Sequence, residues 1–369
     1  GPLVLGFFRG GWCPYCDRAL RALERVRPRI EALGVTLLGV TPDGPEAVRR
    51  AVAEKGLGFP LLSDPDHEVA ERWGAWGEKK NYGKVYEGLI RSTIVVDADG
   101  ALWTGLVDGR IVRISPDGSE SSVVADTGGR PLGMHVARDG RLLVCDSHRG
   151  LLSMDRATGE LTSLVEAIDG RPLRFCSNAT ETSDGTIYFT ESTSAFHFEH
   201  TLGAVLEGRG RGGLFRLGTD GSVTTLVDGL YFANGVTVTA DGSALVFAET
   251  LGRRLSKYWL TGPQAGQVTP LAVNLPAMPD NISTGSDGRI WTAMVTAANP
   301  AAEGLLPRAP WIRKLIWRLP SRLQPKVQPE VWVVGFDPDT GKAVGGIRTK
   351  RPDFGGVTDV VEAGGRLWM

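Results

Sequence analysis

Two groups of residues in this sequence have the types and spacing to do chemistry. The first is Trp12-Cys13-Pro14-Tyr15-Cys16, which follows a strand-like run and opens a helix-like one. That placement puts the Cys13 sulfur at a helix N-terminus, where the dipole favours thiolate and lowers the pKa. Two cysteines two residues apart can close a disulfide on one helical turn, so Cys16 can resolve an oxidised Cys13. Half of a zinc site is the other reading of this pair, and no second cysteine pair lies nearby. The second group is Asn178 in Cys176-Ser177-Asn178-Ala179-Thr180, Asn234 in Tyr231-Phe232-Ala233-Asn234-Gly235-Val236, and Asp280-Asn281 in Met278-Pro279-Asp280-Asn281-Ile282. All stand at strand entrances, at a similar offset within their units. Oxygen donors without His or Cys suit a hard cation, calcium at about 2.3–2.6 Å being the natural choice. Taken singly, each of these residues reads equally as a turn cap. His197 and His200 form a His-x-x-His pair near Phe196 and Phe198, either a zinc site or a polar loop rim. Cys145 and Cys176 read as core thiols.

The elements that must position these residues are of two kinds, joined near residue 95. Residues 1–90 alternate strand and helix signals: Leu3–Phe8 and Val35–Val40 as strands, and Arg18–Leu33, Glu46–Lys55 and Glu68–Trp73 as helices. Alternation of this sort implies an α/β sheet. From Ile94 onward, short β runs are separated by Asp-Gly turns at Asp99, Asp139, Asp184, Asp241 and Asp287, which stand 40 to 57 residues apart. Each turn leads into a strand: Ala101–Gly105, Leu142–Cys145, Ile187–Thr190, Ala244–Ala248 and Ile290–Ala293. A repeat of this period with several strands per unit marks a β-propeller. Gly364-Gly365-Arg366-Leu367-Trp368 reads as the opening of a further unit, so six blades are expected, the last incomplete. Equivalent positions in such repeats lie on a ring about the axis, which would bring Asn178, Asn234, Asp280 and Asn281 together.

Composition narrows the function classes. The 369 residues carry 41 Lys+Arg against 42 Asp+Glu, a balance that argues against bulk nucleic-acid binding. With 42% apolar and 22% charged residues the chain is globular rather than disordered. Four cysteines cannot staple a secreted scaffold, so a reducing, cytoplasmic setting is expected. No apolar run is long enough for a transmembrane helix. The ends, Gly1-Pro2 and Trp368-Met369, lie in strand-like runs, as expected of a fragment at both ends.

The first segment resembles peroxiredoxin-like proteins of the AhpC/TSA type, with a thioredoxin fold, through Phe7-Phe8-Arg9-Gly10-Gly11-Trp12-Cys13-Pro14-Tyr15-Cys16. Leu61-Leu62-Ser63-Asp64-Pro65-Asp66-His67, Tyr82-Gly83-Lys84 and Arg91-Ser92-Thr93 are similar to the bacterioferritin-comigratory branch. The resemblance implies a redox module whose catalytic residues are Cys13, Cys16 and Arg91, the arginine helping to activate peroxide and thiolate. Gly10 stands where that family has the Thr that orients peroxide, so a dithiol reductase is the competing reading. The domain is expected over 1–92 and truncated, because the propeller pattern begins where a further strand and helix would follow.

Residues 93–369 resemble the strictosidine synthase-like and gluconolactonase (SMP-30)/paraoxonase superfamily of six-bladed propellers. The motifs are Arg130-Pro131-Leu132-Gly133-Met134-His135, Asp184-Gly185-Thr186-Ile187-Tyr188-Phe189-Thr190, Phe232-Ala233-Asn234-Gly235-Val236 and Pro279-Asp280-Asn281. The resemblance implies a central divalent cation, usually Ca2+, that polarises an ester or lactone carbonyl and activates water. Asn178, Asn234, Asp280 and Asn281 take the ligand positions by motif. Ser92 stands where the family supplies a ligand Glu, which weakens the expected calcium site, and Leu132 stands where paraoxonases have a histidine.

The expectation is therefore a multidomain mosaic: a truncated α/β thioredoxin-like domain, then an all-β six-bladed propeller with a basic insertion over 299–328. Ser92–Gly100 reads at once as the end of one and the start of the other. The expected function is a calcium-dependent ester or lactone hydrolase of lactonase or arylesterase type, fused to a thiol redox module. The alternative is a thiol peroxidase or dithiol oxidoreductase working through Cys13 and Cys16, with a non-catalytic propeller. Expected partners are a small ester or lactone, and a peroxide or thiol reductant. Residues 308–326, basic with interleaved Trp and Leu, read as a packed loop helix, a lid, or a peripheral membrane contact.

Overall fold

A computed structural model of the chain describes residues 3–7, 24, 27, 36–41, 43–66, 68, 77–81, 84–88, 94–96, 101–115, 120–298, 311, 313, 317–318, 330–350, 357–363 and 366–368. Its contacts divide the chain into two compact units. One gathers Gly1–Arg91 with Ile114–Ser121 and Arg351–Phe354, and the other Ser92–Arg113, Ser122–Lys350 and Gly355–Met369.

In the first unit, strands Leu3–Phe7, Thr36–Thr41 and Leu61–Ser63 form a parallel sheet in that order. Helix α1 (Pro45–Lys55) connects the last two. Pro45 starts it where a missing N–H costs nothing, and Glu46 and Lys55 sit at the dipole ends that suit their charges. Gly56, at φ 62°, closes it, and Val48 and Ala51 form its buried stripe. The α/β character expected from the alternating signals is present. The expected helices Arg18–Leu33 and Glu68–Trp73 fall almost wholly outside the described residues, as do Cys13, Cys16 and Arg91.

The second unit is a β-propeller. Five four-stranded sheets follow one another, each in simple sequential order. Blade 1 holds Ile94–Val96, Leu102–Gly105, Arg110–Ile114 and Ser121–Asp126, and blade 2 Pro131–Val136, Leu142–Asp146, Gly150–Met154 and Leu161–Val165. Blade 3 holds Cys176–Glu181, Ile187–Glu191, Gly212–Leu217 and Val223–Leu230, and blade 4 Ala233–Val238, Ala244–Glu249, Arg254–Trp259 and Val268–Ala272. Ala277–Thr284, Ile290–Ala297, Glu330–Phe336 and Ala343–Lys350 make blade 5. The expectation of six blades, the last incomplete, is thereby corrected to five four-stranded blades among the described residues. Past blade 5, the described residues add only a two-stranded hairpin, Val361–Ala363 with Arg366–Trp368. Its first strand touches the inner strands of blades 5 and 1.

The turns form as their residue types require. Asp139, Asp184, Asp241 and Asp287 each accept a hydrogen bond from the backbone N–H two residues on, at 2.9–3.1 Å. The glycine after each has φ between 71° and 85°, where a side chain would be strained.

Alternation along each strand then decides which neighbour it packs on. Leu142 and Val144 face blade 1 through Trp103 and Ile111, while Leu143 and Cys145 face blade 3 through Phe189 and Phe215. Blades 3 and 4 share Tyr188, Leu214 and Phe247, and blades 4 and 5 share Val246, Leu255, Ile290 and Trp332. Each interface is a small sheet-on-sheet core.

A second repeat ties the blades at one end. The last residue of the second strand is acidic in blades 2, 3 and 4, namely Asp146, Glu191 and Glu249. Each lies opposite the first residue of the inner strand. Glu249 accepts from Arg254 Nε at 2.5 Å, Arg254 Nη2 at 2.9 Å and Tyr231 N at 2.9 Å. Glu191 is held likewise by Arg171 and Arg174 N. Glu249→Ala is expected to strand the Tyr231 amide and lower unfolding stability by about 2 kcal/mol, the partly exposed Arg254 rehydrating. Urea unfolding of the variant beside the parent chain measures this.

Candidate functional site

The inner strands of blades 2 to 5 each carry an irregularity near their entrance. The pairing slips between Pro131 and Met134, Cys176 and Ala179, Ala233 and Val236, and Pro279 and Ile282. A bulge of this kind re-aims side chains and is common beside active sites. Its residues here are Leu132-Gly133, Ser177-Asn178, Asn234-Gly235 and Asp280-Asn281, so three of the four bulges present the polar residues singled out from sequence.

The structure brings all four of those residues together. Asn178 Nδ2 donates to Asn281 Oδ1 at 3.1 Å, and Asn234 Nδ2 donates to Asp280 Oδ1. Ser177 Oγ donates to Asn234 Oδ1 at 2.9 Å. Asn178, Asn234 and Asn281 are buried. Two glycines make the close approach feasible. A Cβ on Gly133 would stand 2.9 Å from Asn178 Nδ2, and one on Gly235 would stand 2.7 Å from the Asn281 Cα.

Two threonines that the sequence reading did not single out hold the ring in place. Thr190 Oγ1 donates to the Asn234 carbonyl at 2.5 Å and accepts from Asn178 N at 3.2 Å. Thr250 Oγ1 donates to the Pro279 carbonyl at 2.7 Å and accepts from Asn234 Nδ2 at 3.2 Å. Both follow the apolar core of a second strand, and their role rests on a neighbouring blade that one sequence does not display.

The donor set is amide and carboxylate oxygen, which fits the hard divalent cation the sequence resemblance implies. Asn178 Oδ1 accepts no hydrogen bond among the described residues, leaving a carbonyl oxygen for such an ion. Asp280 is the only carboxylate among the four. No cluster of three or more His, Cys, Asp or Glu side chains capable of holding a metal occurs among the described residues. Ser92 lies outside them.

The segment leading into the hairpin past blade 5 adds an unexpected carboxyl. Thr358 accepts from Asn281 N at 3.1 Å, and Asp359 beside it is buried, with Val360 N donating to its Oδ1 at 2.8 Å. Burial pushes the Asp359 carboxyl up to about 7. The only sequence signal was an acid within the run Val357-Thr358-Asp359-Val360-Val361.

At the same end of the propeller, Phe175, Ala204 and Phe232 form an apolar cluster with Leu132, Phe196 and Leu251. Phe232 has φ 61°, a left-handed conformation rare for an aromatic residue, one step before Ala233-Asn234. Its ring meets Phe175 edge-on at 5.4 Å. Of the two readings of His197 and His200, the described contacts match the polar loop rim. His197 stacks on His148 at 4.5 Å and donates from Nδ1 to Ser147 O at 2.9 Å, and His148 Nε2 meets Glu199 at 2.9 Å. His200 packs edge-on against Trp317 instead. These histidines form a polar rim. Of the basic insertion, Arg313 Nη1 donates to the Leu206 and Glu207 carbonyls, capping helix α2 (Thr201–Glu207), while Trp311 is exposed. No helix among the described residues is long and apolar enough to cross a membrane.

The family model for the SMP-30/Gluconolactonase/LRE-like region matches residues 93–301, and that for the AhpC/TSA family matches residues 1–103. The two overlap over 93–103, at the seam read from sequence. Among curated proteins, the chain is 33% identical to the Arabidopsis thaliana protein strictosidine synthase-like 13, over 69% of this chain and 72% of the relative. It is 31% identical to the Gallus gallus adipocyte plasma membrane-associated protein, over 79% and 72%, and 35% identical to the Salmo salar protein, over 63% and 61%. Among solved structures, a gluconolactonase from Xanthomonas campestris aligns with TM-score 0.51 at 19% identity, over 72% of this chain and 76% of that one. The calcium-binding protein regucalcin from Agrobacterium tumefaciens gives 0.51 at 17%, over 74% and 77%. Both are likenesses of fold.

Asp359 carries a prediction. Its folded pKa lies above the unfolded value of about 3.9, so the folded state holds the extra proton between roughly pH 4 and 7. Stability is therefore expected to fall as pH rises across that window and to level off above it. Asp359→Asn should remove this slope and stabilise the chain at pH 8 by about 2–4 kcal/mol, as read by urea unfolding at pH 5 and 8.

Proposed function

We infer a hydrolytic function from one premise, that the chain belongs to the SMP-30/Gluconolactonase/LRE-like family. The proposed activity is divalent-cation-dependent hydrolysis of a small ester or lactone at the axial ring. The observation that carries this reading is the meeting of Asn178, Asn234, Asp280 and Asn281 from three consecutive blades. Names of relatives support it: one structural neighbour is a gluconolactonase and another a calcium-binding protein.

In this reading the four ring residues hold Ca2+ or a similar ion, Asp280 supplying the negative charge. Such an ion, when bound, polarises a carbonyl oxygen and lowers the pKa of water. The chain's own contribution is positional. Ser177 and Thr250 fix both ends of the Asn234 amide, and Thr190 fixes the backbone of Asn178 and Asn234. The cluster of Phe175, Phe232 and Leu251 gives the apolar part of an ester somewhere to bind out of water.

Calcium at about 100 times its Kd should stabilise the folded chain by about 2.7 kcal/mol over chelator, seen as a higher Tm. Asp280→Asn should abolish that difference, and hydrolysis of phenyl acetate or a γ-lactone should stop in chelator. A calcium-independent Tm together with chelator-resistant hydrolysis would overturn the reading.

The match of residues 1–103 to the AhpC/TSA family favours a second activity in the same chain, thiol redox chemistry at Cys13 and Cys16 with Arg91 supporting the thiolate. Cys13→Ser should eliminate thiol-dependent peroxide consumption and leave ester hydrolysis unchanged. Equal peroxide consumption by parent and variant would remove this reading.

A further inference from the structure

Arg130 stands just before the inner strand of blade 2, and the hydrolysis proposed above does not use it. Its Nε is sealed from solvent and has no hydrogen-bond partner among the described residues. Nη1 reaches only the adjacent Pro131 carbonyl, at 3.5 Å, the outer edge of a hydrogen bond. Arg171 and Arg254, by contrast, grip buried Glu191 and Glu249 through two nitrogens each. The acid at that place in blade 2, Asp146, is a shorter side chain already bound by Thr127 Oγ1 and two backbone N–H groups. Of the other acids whose charge reaches Arg130, Glu199 holds His148 and Asp108 holds Arg110. Burial lowers the Arg130 pKa and the three acids oppose that, so the guanidinium stays charged with most of its donors unused. A buried donor left unsatisfied costs stability, and here it makes no structural bond in return.

What the guanidinium does touch is aromatic. Its carbon lies 4.6 Å from the centroid of the Phe198 phenyl group. Phe198 meets Phe175 at 5.7 Å, and Phe175 meets Phe232 at 5.4 Å, two residues before Asn234. Phenyl groups thus run in series from Arg130 to the axial ring. Ser147 fixes the first of these contacts from both sides. Its N–H donates to the Arg130 carbonyl and its Oγ accepts from Phe198 N, each at 2.9 Å. Phe198 keeps 36% of its surface exposed, so a flat group has room to lie on it.

We propose that Arg130 is a specificity residue that binds the carboxylate of a small organic acid whose flat apolar stem lies along Phe198 and Phe175. The Nη1–Nη2 edge is a planar fork that matches a carboxylate with two parallel N–H donors, and the aromatic surface beside it excludes water from that contact. A singly charged group fits better than a phosphate dianion, because Asp146, Glu199 and Asp108 already place negative charge around the guanidinium. Arg130 also lies on the strand whose bulge, Leu132-Gly133, faces the amides of the axial ring. An acid held here directs its stem toward that ring, so the substrate class is an ester or lactone that also carries a carboxylate. This last step rests on the hydrolase reading, whereas binding of the acid does not.

The test compares two probes of one shape on the full chain, 3-phenylpropanoate and its uncharged amide, by titration calorimetry in chelator. The parent should bind the acid about tenfold or more tighter than the amide, the step expected of a charge-assisted pair. Arg130→Gln should bind acid and amide alike, and Arg130→Lys should keep only part of the preference, having the charge without the fork. Equal binding of the two probes by the parent, no binding of either at millimolar concentration, or a preference that survives Arg130→Gln would each overturn the proposal. The comparison on the parent needs no variant to fold. A second pair, 4-acetoxybenzoate and 4-acetoxybenzamide, is then hydrolysed in calcium, where the acid should show the higher kcat/KM. Hydrolysis without that preference would remove the substrate assignment. Absent or chelator-resistant hydrolysis alongside tight binding of the acid would remove the hydrolase reading alone.

Discussion

Polar groups buried at the axis of a propeller have to be satisfied there, by one another or by an ion, and the rest of this structure serves that constraint. An amide placed out of water without a partner costs about 1–3 kcal/mol. The chain meets this with paired amides, Asn178 to Asn281 and Asn234 to Asp280, and with hydroxyls from Ser177, Thr190 and Thr250. Such a network tolerates little displacement, because each member is partner to another on a different blade. Gly133 and Gly235 follow from the same demand, since a methyl group at either would separate the strands that carry the ring.

Behind the ring, the repeats turn local chemistry into geometry. Small sheet-on-sheet cores set the spacing of the blades, as where Trp103 packs with Leu142 and Phe189 with Leu143. Buried carboxylates at the ends of the second strands, Asp146, Glu191 and Glu249, then hold the loops that leave the ring end. Asp146 receives Thr127 Oγ1 at 2.7 Å and the backbone N–H groups of His148 and Arg149. The loop bearing His148 is thus fixed from beneath, which allows the imidazole to stack on His197. Strain collects at the same end, in the left-handed backbone of Phe232, where the surrounding contacts over-determine it.

Much of this was legible in the sequence where the signal is local. Asp-Gly turns and alternating strands announced the repeat, and the second strands fall within a few residues of their expected places. Asn178, Asn234, Asp280 and Asn281 were legible because a repeat converts equal offsets into proximity. The supports Thr190 and Thr250 were not, since an interior threonine looks like any β-former until the neighbouring blade is seen. Asp359 was hidden in a strand-like apolar run, and the stacking of His148 on His197 joins loops of two blades. Of the six blades expected, the described residues form five, and the turn read in Gly364-Gly365-Arg366-Leu367-Trp368 corresponds to a hairpin of Val361–Ala363 with Arg366–Trp368.

Charge decides how the ring can work. In the proposed reading, a cation there would meet one carboxylate, Asp280, with neutral amide oxygens completing the set. Ser92 stands where the resembled family carries a glutamate, and Asp359, its carboxyl pushed up to about 7 by burial, brings only part of a charge at neutral pH. Affinity of oxygen-ligand calcium sites rises with carboxylate count, so a ring of this composition belongs to the weak end of the range. A weak site with few fixed charges leaves more of the ion's field for whatever oxygen completes its shell. An ester or lactone carbonyl supplied by substrate is such an oxygen, and the aromatic residues at the same end can bind the remainder of that molecule. If the ring works as proposed, the absent glutamate would exchange tight resident binding of the ion for dependence on substrate, with ion and ester binding each strengthening the other.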